Sequence, residues 1–360
     1  MTTASHIPPR PSPHAGDSIV RRLADSSSVR TIGAGLAALL VFALLLVAKG
    51  SNPIDGYQAM WNSISRDSTA FGDVLVRTTP YLLAALAVIV PARAGMFNVG
   101  GEGQLLMGAV ASYGMADAVG DSAPRAITLV LMALAAMLGG GAWASIAAGL
   151  RQWTGTNEAI STLLLNYLAT LLLGWLVFGR WKDPGSTGFP RTRNFTDRQT
   201  LPLLFGRVHI GVIVAVCAAV AVWLILSRTA WGFKLGVQGG NAEAARRAGF
   251  RTGTLATSAL MAGGALAGLG GMLQTSGVEG VLRPGIMSGY GFTGVLAAWM
   301  VRHHPLKAIL SAFVLAAIAV GGNGLKISEG LSAASVNVLM ALMLLAVLGW
   351  GGARVKEVTA

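Results

Sequence analysis

In this 360-residue chain the side chains able to do chemistry stand at the edges of long apolar runs. Ala92 to Ala109 reads ARAGMFNVGGEGQLLMGA, which sets Asn98, Glu102 and Gln104 among five glycines directly after Pro91. Glycines let backbones approach closely, and a carboxylate at membrane depth is costly unless it faces protein or water. The stretch therefore predicts a bent segment beside a pathway. A second stretch, Thr154 to Ala169, reads TGTNEAISTLLLNYLA. Asn157 can cap a following helix and Glu158 suits its positive end, a capping role that accounts for both residues as well as a functional one does. Asn166 differs, because an amide in a leucine-rich membrane helix needs a partner across the bundle. Asn98, Glu102, Gln104 and Asn166 are thus candidate pathway residues. Uncharged amides of this kind suit a neutral, hydroxyl-rich solute better than a charged one.

Bond-making chemistry has no visible carrier. There is no GxxxxGK[ST] phosphate loop, no HExxH and no GxSxG. Cys217 is the one cysteine and lies in an apolar run, which excludes an internal disulfide and a thiolate cluster. His303 and His304 lack a third ligand nearby, so a solvated turn is expected there and no metal. The chain reads as no enzyme, with no catalytic residue and no cofactor of its own.

The polar stretch Trp231 to Arg251, WGFKLGVQGGNAEAARRAGFR, separates an apolar run ending near Leu226 from one beginning near Leu255. Such a stretch cannot lie in lipid. Gly239 and Gly240 break the chain, Asn241 is a good N-cap, Glu243 falls in the first turn and Gly249 supplies the stop. The short helix so defined is about 10 Å long and needs a packed base or a partner. Ala244, Ala245 and Ala248 are expected to form a small flat face on it.

The elements that position these residues follow from composition. With 53% hydrophobic and 12% charged residues and a mean hydropathy of +0.62, the chain falls in the all-α polytopic membrane class. The net charge of +12 is scattered through loops without interleaved aromatics, so lipid headgroups and not nucleic acid are the expected partner. Residues 1 to 30, rich in Pro, Ser and charge, are expected to be a disordered cytoplasmic tail. Candidate spans follow at residues 32 to 48, 74 to 92, 105 to 119, 126 to 150, 162 to 180, 209 to 227, 254 to 274, 290 to 301, 307 to 322 and 335 to 350. About ten helices are expected within a transmembrane domain of residues 31 to 350, several of them short or broken around a cavity. Basic loops place both termini and the 229 to 253 loop inside, with a second tail at 351 to 360.

The exception is an outer loop, residues 181 to 208, which carries Lys182, Arg191, Arg193, Arg198 and Arg207. Charge complementarity with an acidic partner protein and simple solvation explain it equally well. Ala262 to Gly271, AGGALAGLGG, reads as tight helix packing. Glu279 and Arg283, before Pro284 and Gly285, predict a short outer helix or re-entrant turn.

Taken together, these strings resemble one family. Gly95-Met-Phe-Asn98 followed by Gly101-Glu-Gly-Gln104 resembles the hallmark of nucleoside and simple sugar permeases, which adds Phe97 to the pathway candidates. GVQGGNAEAARRAGF resembles the coupling loop of ABC importer permeases of the branched-chain amino acid, simple sugar and nucleoside family, and the Asn-Glu-Ala-Ile-Ser-Thr string resembles the same branch. The resemblance covers about residues 30 to 350 and implies a type II importer permease with an internal repeat. Asn241, Glu243, Ala244, Ala245 and Gly249 then carry ATPase coupling. A separate ATPase binding ATP and Mg, a second permease subunit and an extracytoplasmic substrate-binding protein are the implied partners in an inner, plasma membrane. The alternative is a self-sufficient secondary carrier or channel for a small polar solute. A carrier needs no docking helix, and it usually holds an acid within the membrane, whereas Glu102 and Glu158 lie at helix ends.

Overall fold

The structure, a computed structural model, describes residues 27–287, 289–328 and 333–352. All ten candidate spans fall within helices, overrunning them by at most two residues at an end. In order these are α1 (Ser27–Ala48), α2 (Pro53–Ser65), α3 (Ser68–Ala92), α4 (Gly101–Val119), α5 (Arg125–Thr154), α6 (Glu158–Phe178), α7 (Gly211–Arg228), α8 (Ala230–Gly240), α9 (Ala242–Arg247), α10 (Thr252–Gln274), α11 (Tyr290–Met300), α12 (Pro305–Ser328) and α13 (Ala333–Gly352). The one sheet among the described residues is a hairpin of β1 (Leu203–Phe205) and β2 (Val208–His209), antiparallel with Leu203 opposite His209. Six described helices, α3, α5, α6, α7, α10 and α12, are long and apolar enough to cross a membrane. The chain is an all-α polytopic membrane protein. The expected tail over 1 to 30 lies outside the described residues except for its last four, which already belong to α1. The tail over 351 to 360 is likewise outside them after residue 352.

Two compact units divide the chain, one of residues up to 53 together with 341 onward, the other of residues 54–340. The first contains α1, whose Leu36, Leu40 and Leu44 are exposed at helical spacing, as a lipid-facing helix requires.

The second unit is built around α3. Of its best apolar window 89% is buried, against 22% for α7, because a helix that is apolar all round belongs inside a bundle. Around it pack α7, α10, α11 and α12. The tightest contacts join α4, α5 and α10 through glycines. A Cβ added to Gly108 would fall 2.2 Å from the Cα of Gly268, and one added to Gly271 2.0 Å from the carbonyl oxygen of Leu105. The Ala262–Gly271 run is therefore spent on packing, where small residues let helices close without the driving force that water supplies.

Two elements depart from the expected spans. Only 11 residues long, α11 measures about 16 Å and cannot cross a bilayer. It is entered from α10 through a π-helical turn, Thr275–Glu279, and then a non-helical stretch. Around Glu279, where a short outer helix or a re-entrant turn was expected, the chain makes this π turn. The second departure is α8, which runs helically through Gly239 and Gly240 after an N-cap by Thr229. The chain breaks one residue later, at Asn241.

Candidate functional site: a braced re-entrant loop and an exposed short helix

After Pro91 the chain leaves α3 and makes a tight turn, with Gly95 at φ +74 closing it. It then doubles back. The Asn98 side chain donates from Nδ2 to the carbonyl oxygen of Ala87, one turn up α3, at 2.9 Å. Asn98 and Gln104 also pair amide to amide, each donating to the other at 2.9 Å, and Asn98 Oδ1 accepts from Gly100 N at 3.0 Å. Both are 1% exposed. A ring of this kind locks residues 98–104 into one conformation, since every broken member would leave a buried polar atom unsatisfied.

Helix α6 braces the loop from the other side. Asn166 Oδ1 accepts from Gly103 N at 2.8 Å while its Nδ2 donates to Val99 O at 3.0 Å. Thr162 Oγ1 accepts from Val99 N at 3.2 Å, and Glu158 Oε1 from Phe97 N at 3.1 Å. Glu158 also pairs with Arg151 at the end of α5. Asn157 caps α6 through Ala159 N at 2.8 Å. The Asn-Glu string thus caps its helix and holds the loop with the same turn.

Glu102 joins the loop to the short helix. Its two carboxylate oxygens accept from Gly289 N and Gly291 N, each at 2.6 Å, so α4 supplies the cap of α11. A carboxylate suits a helix N-terminus, where backbone N–H groups are unpaired and the dipole is positive. Contact is close enough that a Cβ on Gly291 would meet Glu102 N at 2.0 Å. Phe97 alone among the pathway candidates is largely exposed, at 52%, and stacks on Trp299 with centroids 5.8 Å apart.

The second site is α9. Asn241 Oδ1 accepts from Ala244 N at 3.0 Å. At the far end Gly249, at φ +80, donates to Arg246 O and Phe250 N donates to Ala245 O, the paired bonds of a left-handed glycine stop. Glu243 pairs with Arg246 and, at 3.1 Å, with Arg247. These bonds, that to Arg246 foremost, hold its carboxyl below the usual range. The flat alanine face needs correction. Ala245 is fully buried and points into the protein as the base of the helix, whereas Ala244 and Ala248 are exposed. The positions are three and four apart, but only one of them faces the scaffold.

The two sites touch through α8, whose Gly239 lies against Arg93 and Gly95. Arg151 and Thr162 were not singled out in the sequence, although a cation beside a capping Glu and a hydroxyl one turn after it are the available signals. In the turn, Arg302 is exposed while His303 is half-buried, at φ +60, with its ring edge-on to Trp299 at 5.2 Å. No group of three metal-ligating side chains occurs among the described residues.

The basic loop of residues 181 to 208 is folded onto its neighbours. Thr192 N donates to Leu282 O, Phe195 N to Gly280 O and Leu201 N to Ser276 O. Arg198 donates to the carbonyls of Asp121 and Ala123, and Arg207 pairs with Asp73.

Comparison with known proteins agrees with this arrangement. A glucose ABC transporter permease protein of Haloferax volcanii is 39% identical over 86% of this chain and 84% of its own length. A guanosine ABC transporter permease protein of Bacillus subtilis is 30% identical over 86% and 89%, and a nucleoside ABC transporter permease protein of Lactococcus lactis 27% over 85% and 86%. Residues 70–348 match the family described as branched-chain amino acid transport system / permease component, and with the braced loop and the short capped helix in place the chain belongs to that family of ABC transporter permeases.

Proposed function

We propose that this chain is the membrane subunit of an ATP-driven importer, carrying a nucleoside or simple sugar that a binding protein delivers and a separate ATPase drives inward. The observation that carries this reading is α9: six residues, capped at both ends and seated on Ala245, with its remaining side chains in solvent. A helix that short is marginal alone, so an exposed and rigidly capped one has the form of a docking element. Its ATP and Mg belong to the partner, and a second permease subunit, identical or related, completes the pathway.

Orientation follows from charge. Arg93, Arg151, Lys234, Arg246, Arg247 and Arg302 lie on the segments around the Arg93–Gly95 turn, and the positive-inside tendency supports assigning that end to the cytoplasm. Against a self-sufficient carrier stands the use of the buried acids: Glu102 caps α11 and Glu158 pairs with Arg151, so neither offers a free coupling group.

The test is uptake of radiolabelled guanosine and glucose into proteoliposomes holding this chain with candidate ATPase and binding protein. Uptake that requires internal or external ATP on the ATPase side supports the importer. Uptake by the permease alone, driven by an ion gradient, overturns it.

A further inference from the structure

The residues that look most like a pathway in the sequence are consumed in bracing, which leaves the recognition of solute without a site. A cavity of about 450 Å³ lies on the other side of the α11 N-terminus, within the roughly 300–1,000 Å³ range of small-molecule sites. Its wall is formed by Arg77 and Tyr81 from α3, Glu279 from the π turn, Arg283, and Tyr290 and Thr293 from α11. Arg77 is the notable member. It stands in the middle of a 25-residue apolar helix, where a charge is expensive and by default marks a functional position.

The cavity is organised before any ligand arrives. Tyr81 and Tyr290 meet edge to face with centroids 5.6 Å apart, and the Arg77 guanidinium lies 6.0 Å over the Tyr290 ring. Gln274, almost fully buried, points its amide at the Tyr290 hydroxyl at 3.3 Å and at Glu279 Oε1 at 3.4 Å. The π turn Thr275–Glu279 brings Glu279 to this position, and such bulges inside membrane helices recur at functional sites. Charge is balanced only in part: Glu279 pairs with Arg283 at 3.0 Å, while Lys326 sits exposed at the lip near Asn323. Arg77 has no carboxylate partner among the described residues.

We propose that this cavity, between α3, the π turn and α11, binds the neutral hydroxyl-bearing ring of a nucleoside or hexose, with Arg77 and Glu279 as the hydrogen-bonding pair and Tyr81 and Tyr290 as the ring platform. A guanidinium offers a fork of donors to hydroxyl or base acceptors, a carboxylate accepts from vicinal hydroxyls, and aromatic faces cover the apolar sides of a sugar or base. The α11 N-terminus borders the cavity as broken half-helices border the sites of other transporters. Because Glu102 occupies its first N–H groups, that end is quenched and offers no backbone anion site of its own.

This rests on the importer reading for its solute class, and the experiment separates the two. Full-length protein in nanodiscs, with Cys217→Ala to remove the native thiol and Asn337→Cys placed at the exposed cavity wall, is alkylated by a water-soluble maleimide with and without guanosine, glucose or guanosine monophosphate. Guanosine or glucose is expected to slow alkylation, and whichever does so names the source of the ring. Arg77→Gln and Glu279→Gln should each raise the protecting concentration roughly ten- to a hundredfold, the cost of one charge-assisted hydrogen bond, with unliganded alkylation unchanged as the check on folding. No protection by either neutral solute in a preparation that still retains its ATPase overturns the cavity. Better protection by guanosine monophosphate than by guanosine also overturns it. Protection in a preparation that never associates with an ATPase supports the cavity and overturns the importer.

Discussion

Gly95 and Gly239 are pressed backbone to backbone: a Cβ added to Gly95 would stand 3.3 Å from the Gly239 Cα, and one added to Gly239 would stand 2.4 Å from the carbonyl oxygen of Arg93. This is where the helix preceding α9 meets the turn that opens the glycine-rich loop between α3 and α4. The same loop is tied by Asn98 to α3, by Asn166 to α6 and by Glu102 to α11. A displacement of α9 that moves α8 therefore has a short, stiff route to the elements around the proposed cavity. Neighbouring Gly240 is open, with nothing near its Cβ position.

That contrast gives the first prediction. Gly239→Val should force α8 off the Arg93–Gly95 turn and reduce uptake strongly, whereas Gly240→Val, with space around it, should retain most of the uptake. Both substitutions carry the same change in helix propensity, so their difference isolates the contact. Transport assays on the two variants at matched protein level decide it, and equal losses would remove the turn from the coupling route.

Glu102→Ala should destabilise the protein as well as slow it. The substitution leaves the N–H groups of Gly289 and Gly291 unpaired, at about 1–3 kcal/mol for each buried group, and frees the start of α11. Glu102→Gln retains one acceptor and should lose less. Thermal unfolding in detergent is expected to rank parent, Gln and Ala in that order. A Glu102→Ala protein as stable as the parent would mean that α11 does not depend on this cap.

How far the sequence carried these assignments depends on what each residue touches. The capped short helix was legible because Asn241, Glu243 and Gly249 act within one turn of themselves, and local rules suffice for that. Ala245 was not, because its inward direction is set by the scaffold beneath it. Asn98, Gln104 and Asn166 announced themselves as polar groups in apolar surroundings, yet their partners are one another and the backbone, at separations up to 67 residues. Arg77 was the available sign of the cavity, an uncompensated cation in an apolar run. The partners that give it meaning, Tyr290 and Glu279, lie about 200 residues further on, and nothing local connects them.

The two alanines of α9 should separate docking from folding. Ala244→Arg places a bulky cation on the exposed surface and should weaken ATPase association while the permease keeps its yield and unfolding temperature. Ala245→Arg pushes the same side chain into a fully buried position and should lower yield and stability first. Pull-down of the ATPase, normalised to folded permease, distinguishes them. Unchanged association in Ala244→Arg would place the ATPase contact elsewhere.

The 181 to 208 loop gives the last prediction, and four of its basic residues divide into two kinds. Arg198 is bonded to the carbonyls of Asp121 and Ala123, beyond the end of α4, and Arg207 pairs with Asp73, so these two hold the loop down. Arg191 and Arg193 are exposed on its surface. Arg198→Gln should therefore loosen the segment, with faster proteolysis between residues 182 and 207 at any ionic strength. Arg191→Gln with Arg193→Gln should leave proteolysis unchanged and instead slow association of an acidic binding protein. The deficit should shrink as salt rises, because at about 0.15 M the screening length is already near 8 Å and the parent loses its own steering. Association rates measured at low and high salt check this directly. The same rates for parent and double variant at both would reduce Arg191 and Arg193 to solvated surface charge.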